Sequence, residues 1–293
     1  MVARVIKIAV SSVVWTTGAL RDFGMSLMNR PRPARAVVLY YHAVNADERA
    51  RFAAQMDMLK RCALPVFADG RDVQKSGERY VAVTFDDGFV SVMDHARPEL
   101  ESRHIPWTFF VPTGSWGQRP SWVDDEGARS YAQTVVTTDQ LRRLGDTPSV
   151  TIGAHSITHP DFLTLDDGHA SRELEQSKIE LEQLLGRDVT LFSFPYGRCE
   201  AHLVEKAKAV GYQRVFTISP SWAFETADEF VTGRVAVEPS DWRIEFWLKV
   251  RGAYRWQSAV SRWKQQSKDA GRTMIRDRRT RGILVRPANT PDE

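Results

Sequence analysis

Short runs rich in β-branched and aromatic residues alternate with longer helix-forming stretches, and this alternation narrows the fold open to the chain more than any other feature. Residues 36–41 (AVVLYY), 80–85 (YVAVTF) and 107–111 (WTFFV) are nearly continuous apolar runs, as expected of strands buried on both faces. Residues 150–154, 191–194, 214–218 and 234–237 supply further short strands. Between them, Phe52, Met56 and Leu59 fall on one helical face, and residues 92–103 can form a helix despite Pro98. Asp166 or Asp167 caps another helix that runs to Leu185 and stops at Gly186, and residues 206–210 lie in a further one. The alternation predicts a parallel α/β sheet or barrel whose functional loops sit at strand ends.

Both ends of the chain depart from this pattern. Arg4 and Lys7 precede an apolar stretch, residues 8–20, interrupted by Ser11, Ser12, Thr16, Thr17 and Gly18. It falls short of the roughly 18 apolar residues of a membrane span, and no small-x-small cleavage site follows. Two readings stay open: an interfacial anchor or imperfect signal sequence, and a plain packing helix. The Pro/Arg run at 30–35 (RPRPAR) separates this leader from the body. After Arg255 the chain turns basic and polar, expected to begin as helix and end disordered, either as a solvated tail or in contact with an anionic membrane or glycan. The expected organisation is a leader at 1–33, a body at 34–256 and a basic tail at 257–293. A hydrophobic content of 42% provides for a core, and a net charge of +3 does not call for a nucleic-acid partner. Cys62 and Cys199 are too few for a disulfide scaffold and read as buried free thiols.

Two motifs carry chemistry. Thr84-Phe85-Asp86-Asp87-Gly88 ends a predicted strand, so adjacent carboxylates enter unequal surroundings: one can bind a cation while its neighbour serves as a base. Alone, the motif also suits a simple Asp/Gly turn or the Asp-Asp-Gly-Ser motif of nucleotide-sugar transferases, although Phe89 stands where that serine would be. His155-Ser156-Ile157-Thr158-His159 then offers two imidazoles four residues apart, followed by Pro160, which bars a continuing helix. Two histidines and a carboxylate form a common catalytic zinc set with positions left open for water and substrate. Ser156 replaces the glutamate of the HExxH protease motif.

With a third motif, Phe192-Ser-Phe-Pro-Tyr-Gly197, the order TFDDG, HSxxH, FSFPYG resembles the polysaccharide deacetylases of carbohydrate esterase family 4, the NodB-homology domain, over about residues 36–250. The resemblance implies a distorted (β/α) barrel of seven strands and a divalent metal, zinc foremost, with cobalt or nickel as substitutes. It also implies roles: Asp86 as general base, Asp87, His155 and His159 as metal ligands, and the Tyr196 backbone N–H as an oxyanion donor. Pro195, Tyr196, Trp116 and Arg234 are the expected substrate contacts, and Trp122 and Trp222 are further candidate sugar platforms. The implied activity is hydrolysis of N-acetyl groups on an amino-sugar polymer or glycan, in a bacterial cell envelope rather than the cytoplasm. Residues 1–29 or the basic tail would make any peripheral membrane contact.

Two departures align the chain with the exopolysaccharide and biofilm-polymer branch of that family. Ser193 stands where many members carry an arginine that orients the catalytic aspartate; Arg234, on another strand, is the candidate substitute. The C-terminal histidine motif is missing, since no histidine follows His202. In that branch it is displaced to the N-terminus, and Leu39-Tyr-Tyr-His42-Ala-Val44 resembles it, which makes His42 the candidate general acid. An imidazole suits that task because it titrates near neutrality. The remaining histidines, His95, His104, His169 and His202, are expected at the surface. Competing functions are the nucleotide-sugar transferase, which needs no role for His155 and His159, and a catalytically silent glycan-binding domain.

Overall fold

The computed structural model describes residues 1–73, 77–123, 125 and 129–261. The chain divides into two units, Met1–Arg255 and Trp256–Glu293. In the second, residues 256–261 are helical, as the start of the tail was expected to be; most of the basic tail lies outside the described residues.

The first unit opens with a long helix, α1 (Val2–Leu27), and then alternates strands and helices. In chain order these are β1 (Arg35–Tyr41), α2 (Arg49–Cys62), β2 (Leu64–Pro65), β3 (Arg79–Phe85), α3 (Arg97–Glu101), β4 (Trp107–Val111) and α4 (Thr138–Gly145). There follow β5 (Val150–Ala154), α5 (Asp167–Leu185), β6 (Leu191–Ser193), α6 (Ala201–Val210), β7 (Arg214–Thr217), β8 (Val231–Ala236) and α7 (Arg243–Val250). All strand pairings are parallel, in the order β1-β8-β7-β6-β5-β4-β3-β2, and β1 also pairs with β3. Strands β1 and β3 to β8 therefore close into a seven-stranded ring, a (β/α)7 barrel, with the two-residue β2 lying against β3 outside it.

Side chains alternate across each strand, which splits the core in two. Val37, Leu39, Tyr41, Val81, Val83, Phe85 and Phe109 pack outward beneath the helices, whereas Ala36, Val38, Ala82, Phe110 and Phe216 form a separate cluster within the ring. The narrow interior needs small residues: a Cβ on Gly153 would lie 2.4 Å from the Phe110 ring.

The helix expected at 92–103 is broken. Residues Val92–Ala96 form a wide turn of π geometry, and α3 begins only at Arg97 with Pro98 in its first turn. Proline lacks an N–H and its ring collides with the carbonyl four residues back, so it starts a helix here rather than continuing one. Helix α5 keeps its read boundaries, with the Asp166 side chain accepting from His169 N–H and Gly186 in the left-handed conformation at its end.

Candidate active site

In a parallel ring every strand delivers its following loop to the same rim. Tyr41 pairs with Phe85 and Val111 with Ala154, so His42, Asp86 and His155 leave the barrel at one end. These residues, with Asp87, His159 and Tyr196, line a cleft of about 720 Å³, completed by Trp122, Glu48 and Glu238 among others.

The adjacent carboxylates part immediately because Asp87 (φ 68°) and Gly88 (φ 67°) are both left-handed. Gly88 is required there: a Cβ would meet the Val111 side chain at 2.9 Å in a backbone conformation that already disfavours side chains. Asp86 turns toward the barrel interior. Arg234 Nη1 donates to its Oδ1 and Nη2 to its Oδ2, both at 2.7 Å, and Ser193 Oγ lies 3.4 Å from Oδ2. Arg234 is itself fully buried, boxed by the rings of Tyr40, Phe110 and Phe216. Burial alone would raise the Asp86 carboxyl, but the Arg234 guanidinium, followed by His155 and His42, outweighs it and holds the group below its ordinary value.

Asp87 turns toward the histidines instead. Its Oδ1 lies 3.5 Å from His155 Nε2 and 3.3 Å from His159 Nε2. That oxygen is buried yet takes no hydrogen bond. The three residues bring their ligand atoms within 4.8 Å of one another. A buried carboxylate oxygen facing two imidazole nitrogens lacks a partner common to all three, and a divalent cation supplies one; the donor set suits zinc and its nitrogen-preferring neighbours. Burial would raise Asp87, but the two imidazoles prevail and hold it far below the carboxylate range, in the ionised form a ligand needs. His159 is lowered by its burial, which favours the neutral, ligating ring. In His155 the carboxylates of Asp86 and Asp87 outweigh burial and raise it.

Supports hold these side chains in place. His155 Nδ1 donates to the Ser193 carbonyl at 2.7 Å, which fixes the tautomer with Nε2 free to ligate. The loop from His155 to His159 turns through Ser156 (φ 66°) and ends at His159 (φ 58°), so the two histidines are not on a helix, and none continues through Pro160. From α5, Glu173 accepts hydrogen bonds from Ile157 N–H (2.7 Å), Thr158 N–H (3.0 Å) and Thr158 Oγ1 (2.7 Å). Trp122 stacks on the His159 ring at 4.4 Å, and Tyr196, itself left-handed at φ 56°, presents its ring edge-on at 4.9 Å.

Several expected contacts fall elsewhere. Arg234 reaches the site only through Asp86, since a fully buried guanidinium inside the barrel is closed to substrate. Pro195 is buried and does not line the cleft. Trp116 is half-buried and likewise outside it, while Trp222 packs against Arg35 and Arg255 near the opposite, strand-start end. Of the candidate tryptophan platforms, only Trp122 borders the cleft. Cys62 and Cys199 are free but half-buried rather than buried, and burial pushes the Cys199 thiol up to about 11. Glu173 and the Ser193 carbonyl were not foreseen; the first sits on an ordinary-looking polar helix, and the second belongs to backbone.

A closed parallel barrel with an Asp-His-His cluster and a second, clamped carboxylate at its strand-end rim defines a hydrolase of the metal-assisted kind. The chain matches the model of the polysaccharide deacetylase family over residues 73–215. It is 24% identical over 223 residues to YxkH of Bacillus subtilis, named as a candidate polysaccharide deacetylase, covering 71% of this chain and 73% of that one. It is 24% identical over 199 residues to the poly-β-1,6-N-acetyl-D-glucosamine N-deacetylase of Staphylococcus epidermidis, covering 64% of this chain and 66% of the relative. Among solved structures, IcaB from Ammonifex degensii superposes with a TM-score of 0.62 at 26% identity, covering 76% of this chain and 98% of that one. The transferase reading loses its basis, because both histidines join Asp87 rather than standing apart from it.

Proposed function

We propose that the enzyme removes N-acetyl groups from an N-acetylated amino-sugar polymer at the cell envelope, and that a β-1,6-linked N-acetylglucosamine polymer, the substrate named for the staphylococcal relative, is the first to test. The observation that carries this is the Asp87, His155 and His159 cluster beside a clamped Asp86 in an open cleft. A divalent cation held by those three residues, zinc by preference, would polarise the acetamide carbonyl and acidify a water. Asp86 accepts the proton of the attacking water, and Arg234 keeps that carboxylate ionised and aimed. The Tyr196 backbone N–H stabilises the oxyanion, and its exposed ring, with Trp122, offers sugar-facing surface. His42 protonates the departing amine. The same reading places residues 1–29 against a membrane, and the polymer within reach of it.

Acetate release from poly-β-1,6-N-acetylglucosamine, chito-oligosaccharides and peptidoglycan fragments, with and without a chelator, tests the reading. Release from at least one polymer should cease on chelation and return with zinc. Asp87→Ala should lose most of the bound metal together with turnover. No release from any polymer by metal-loaded protein would overturn the proposal.

A further inference from the structure

Helix α1 is amphipathic in the wrong sense for water. Its residues Arg4, Ile8, Ser11, Trp15, Gly18 and Asp22 recur at helical spacing along one face, and that face packs on the barrel. Arg4 pairs with Glu245 at 2.5 Å and donates to the Ser240 carbonyl at 2.8 Å. Trp15 meets Trp247 edge-on at 4.8 Å, and Ser11 is buried. At the far end, Asp22 accepts two bonds from Arg35, at 2.7 and 3.0 Å, and one from Arg79 at 3.4 Å. The opposite face is mainly apolar, and the hydroxyls of its Thr16 and Thr17 bond back to the Ser12 and Val14 carbonyls. Ile6, Val13, Leu20 and Leu27 form a ridge seven residues apart, 56 to 73% exposed, flanked by exposed Val2, Val5 and Phe23. A surface helix in water would show the reverse.

The charge beside that ridge identifies what covers it. Lys7, Arg21, Arg30 and Arg32 are exposed, and the buried, paired Asp22 is the sole carboxylate before Asp47. Two copies meeting along the ridge would bring these cations together, whereas anionic phosphates would neutralise them. Val2–Leu27 is long and apolar enough to cross a membrane. Crossing, however, would strip Arg4 and Asp22 of their partners and carry both charges into hydrocarbon.

We propose that α1 lies in the plane of an anionic phospholipid surface, its apolar ridge among the acyl chains, and holds the barrel on its side there. The direction follows from the two ends of the helix. Arg4 is anchored at Ser240, next to the cleft-lining Glu238 and Pro239. Asp22 binds Arg35 and Arg79, which open β1 and β3 at the barrel's other end. The helix thus runs from the cleft rim to the strand-start end, and the cleft opens along the membrane surface rather than away from it. A polymer leaving or lying on that surface would meet the metal cluster without the enzyme detaching.

The inference deepens the envelope reading, and co-sedimentation of the full chain with vesicles tests it. The protein should pellet with vesicles of equimolar phosphatidylglycerol and phosphatidylcholine and be released by alkaline carbonate. Pure phosphatidylcholine, high salt, or Lys7→Glu with Arg21→Glu should each weaken binding at least about tenfold. Val13→Asp with Leu20→Asp should do the same while leaving the melting temperature and acetate release from a soluble oligosaccharide unchanged, because both side chains face away from the barrel. Wild-type protein that ignores anionic vesicles, resists carbonate, or forms a dimer that Val13→Asp with Leu20→Asp dissolves would overturn the proposal. Vesicle binding by a protein that fractionates with the cytosol in cells would instead sink only the envelope placement.

Discussion

At the residue scale the arrangement around Asp86 makes the sharpest demand. A buried carboxylate without a cation partner would be driven to its protonated form, and a protonated Asp86 accepts no proton from water. Arg234→Met should therefore keep the metal, since Asp87, His155 and His159 are untouched, and still slow acetate release on the order of a hundredfold. Removing one partner of a buried pair should also cost about 3–5 kcal/mol in stability. The sign of the pH effect is fixed: Arg234 holds the Asp86 pKa down, so its loss lets burial raise that pKa. The acid limb of kcat/KM then moves to higher pH, and an unmoved limb would show that Arg234 does not govern the carboxylate. His42 faces a different test. His42→Ala should spare metal content and greatly slow hydrolysis of an N-acetyl amine, yet affect an activated ester far less, because a good leaving group needs no proton. Equal losses on both substrates would remove His42 from the acid role. Asp87, His155 and His159 were legible because their residue types and the short spacing of the two histidines are those a shared cation would demand. The partnership of Arg234 with Asp86, 148 positions apart, is made only by closure of the ring. Without the closed ring, an interior arginine reads the same as a surface one.

At the element scale, α5 serves as more than cover for the sheet. Its Glu173 ties down the turn between His155 and His159 through three hydrogen bonds, and the carboxylate is buried beneath that turn. Glu173→Ala should leave two loop N–H groups and a hydroxyl unpaired, at about 1–3 kcal/mol for each donor that water cannot reach. Zinc affinity should fall about 10–100-fold, as for other supports of metal ligands, and added zinc should restore much of the turnover. Unchanged affinity in a folded variant would reduce Glu173 to a helix-to-loop tether. The boundaries of α5 were readable because its first and last residues carry the cap chemistry itself, Asp166 and Gly186. Helix α4 carries equally explicit signals, a Thr137/Gln140 capping box, yet its eight residues are too few for periodicity to announce it. Helix α1 was obscured because Arg4, Ser11 and Asp22 point inward while Ile6, Val13, Leu20 and Leu27 are exposed, which inverts the pattern that reveals an amphipathic helix.

At the scale of the whole molecule, the ring closes through β1 pairing with both β3 and β8, without any residue of α1. The seven-strand alternation was therefore visible in sequence independently of the leader, and the expected boundary near residue 33 amounts to a claim about autonomy. A chain begun at residue 34 tests it. Deletion removes the Arg4–Glu245 pair, the Trp15–Trp247 contact and the carboxylate shared by Arg35 and Arg79. Glu245 keeps Lys249 at 3.4 Å, so that end loses little. Arg35 and Arg79 lose the Asp22 carboxylate while facing each other and Arg251, and burial followed by that mutual repulsion already lowers Arg79. Half-buried Trp247 also becomes exposed on the side that Trp15 covered. Together these changes should cost about 2–4 kcal/mol, which for a domain of this size corresponds to a fall in Tm of about 5–15 °C. The shortened enzyme should nevertheless bind zinc stoichiometrically and release acetate from a soluble oligosaccharide at close to the full-length rate, because no cleft residue contacts the helix through the bonds removed. Restoring a carboxylate near Arg35 should recover part of the Tm. Collapse of zinc binding in the shortened chain would make α1 a structural part of the barrel and overturn a boundary near residue 33.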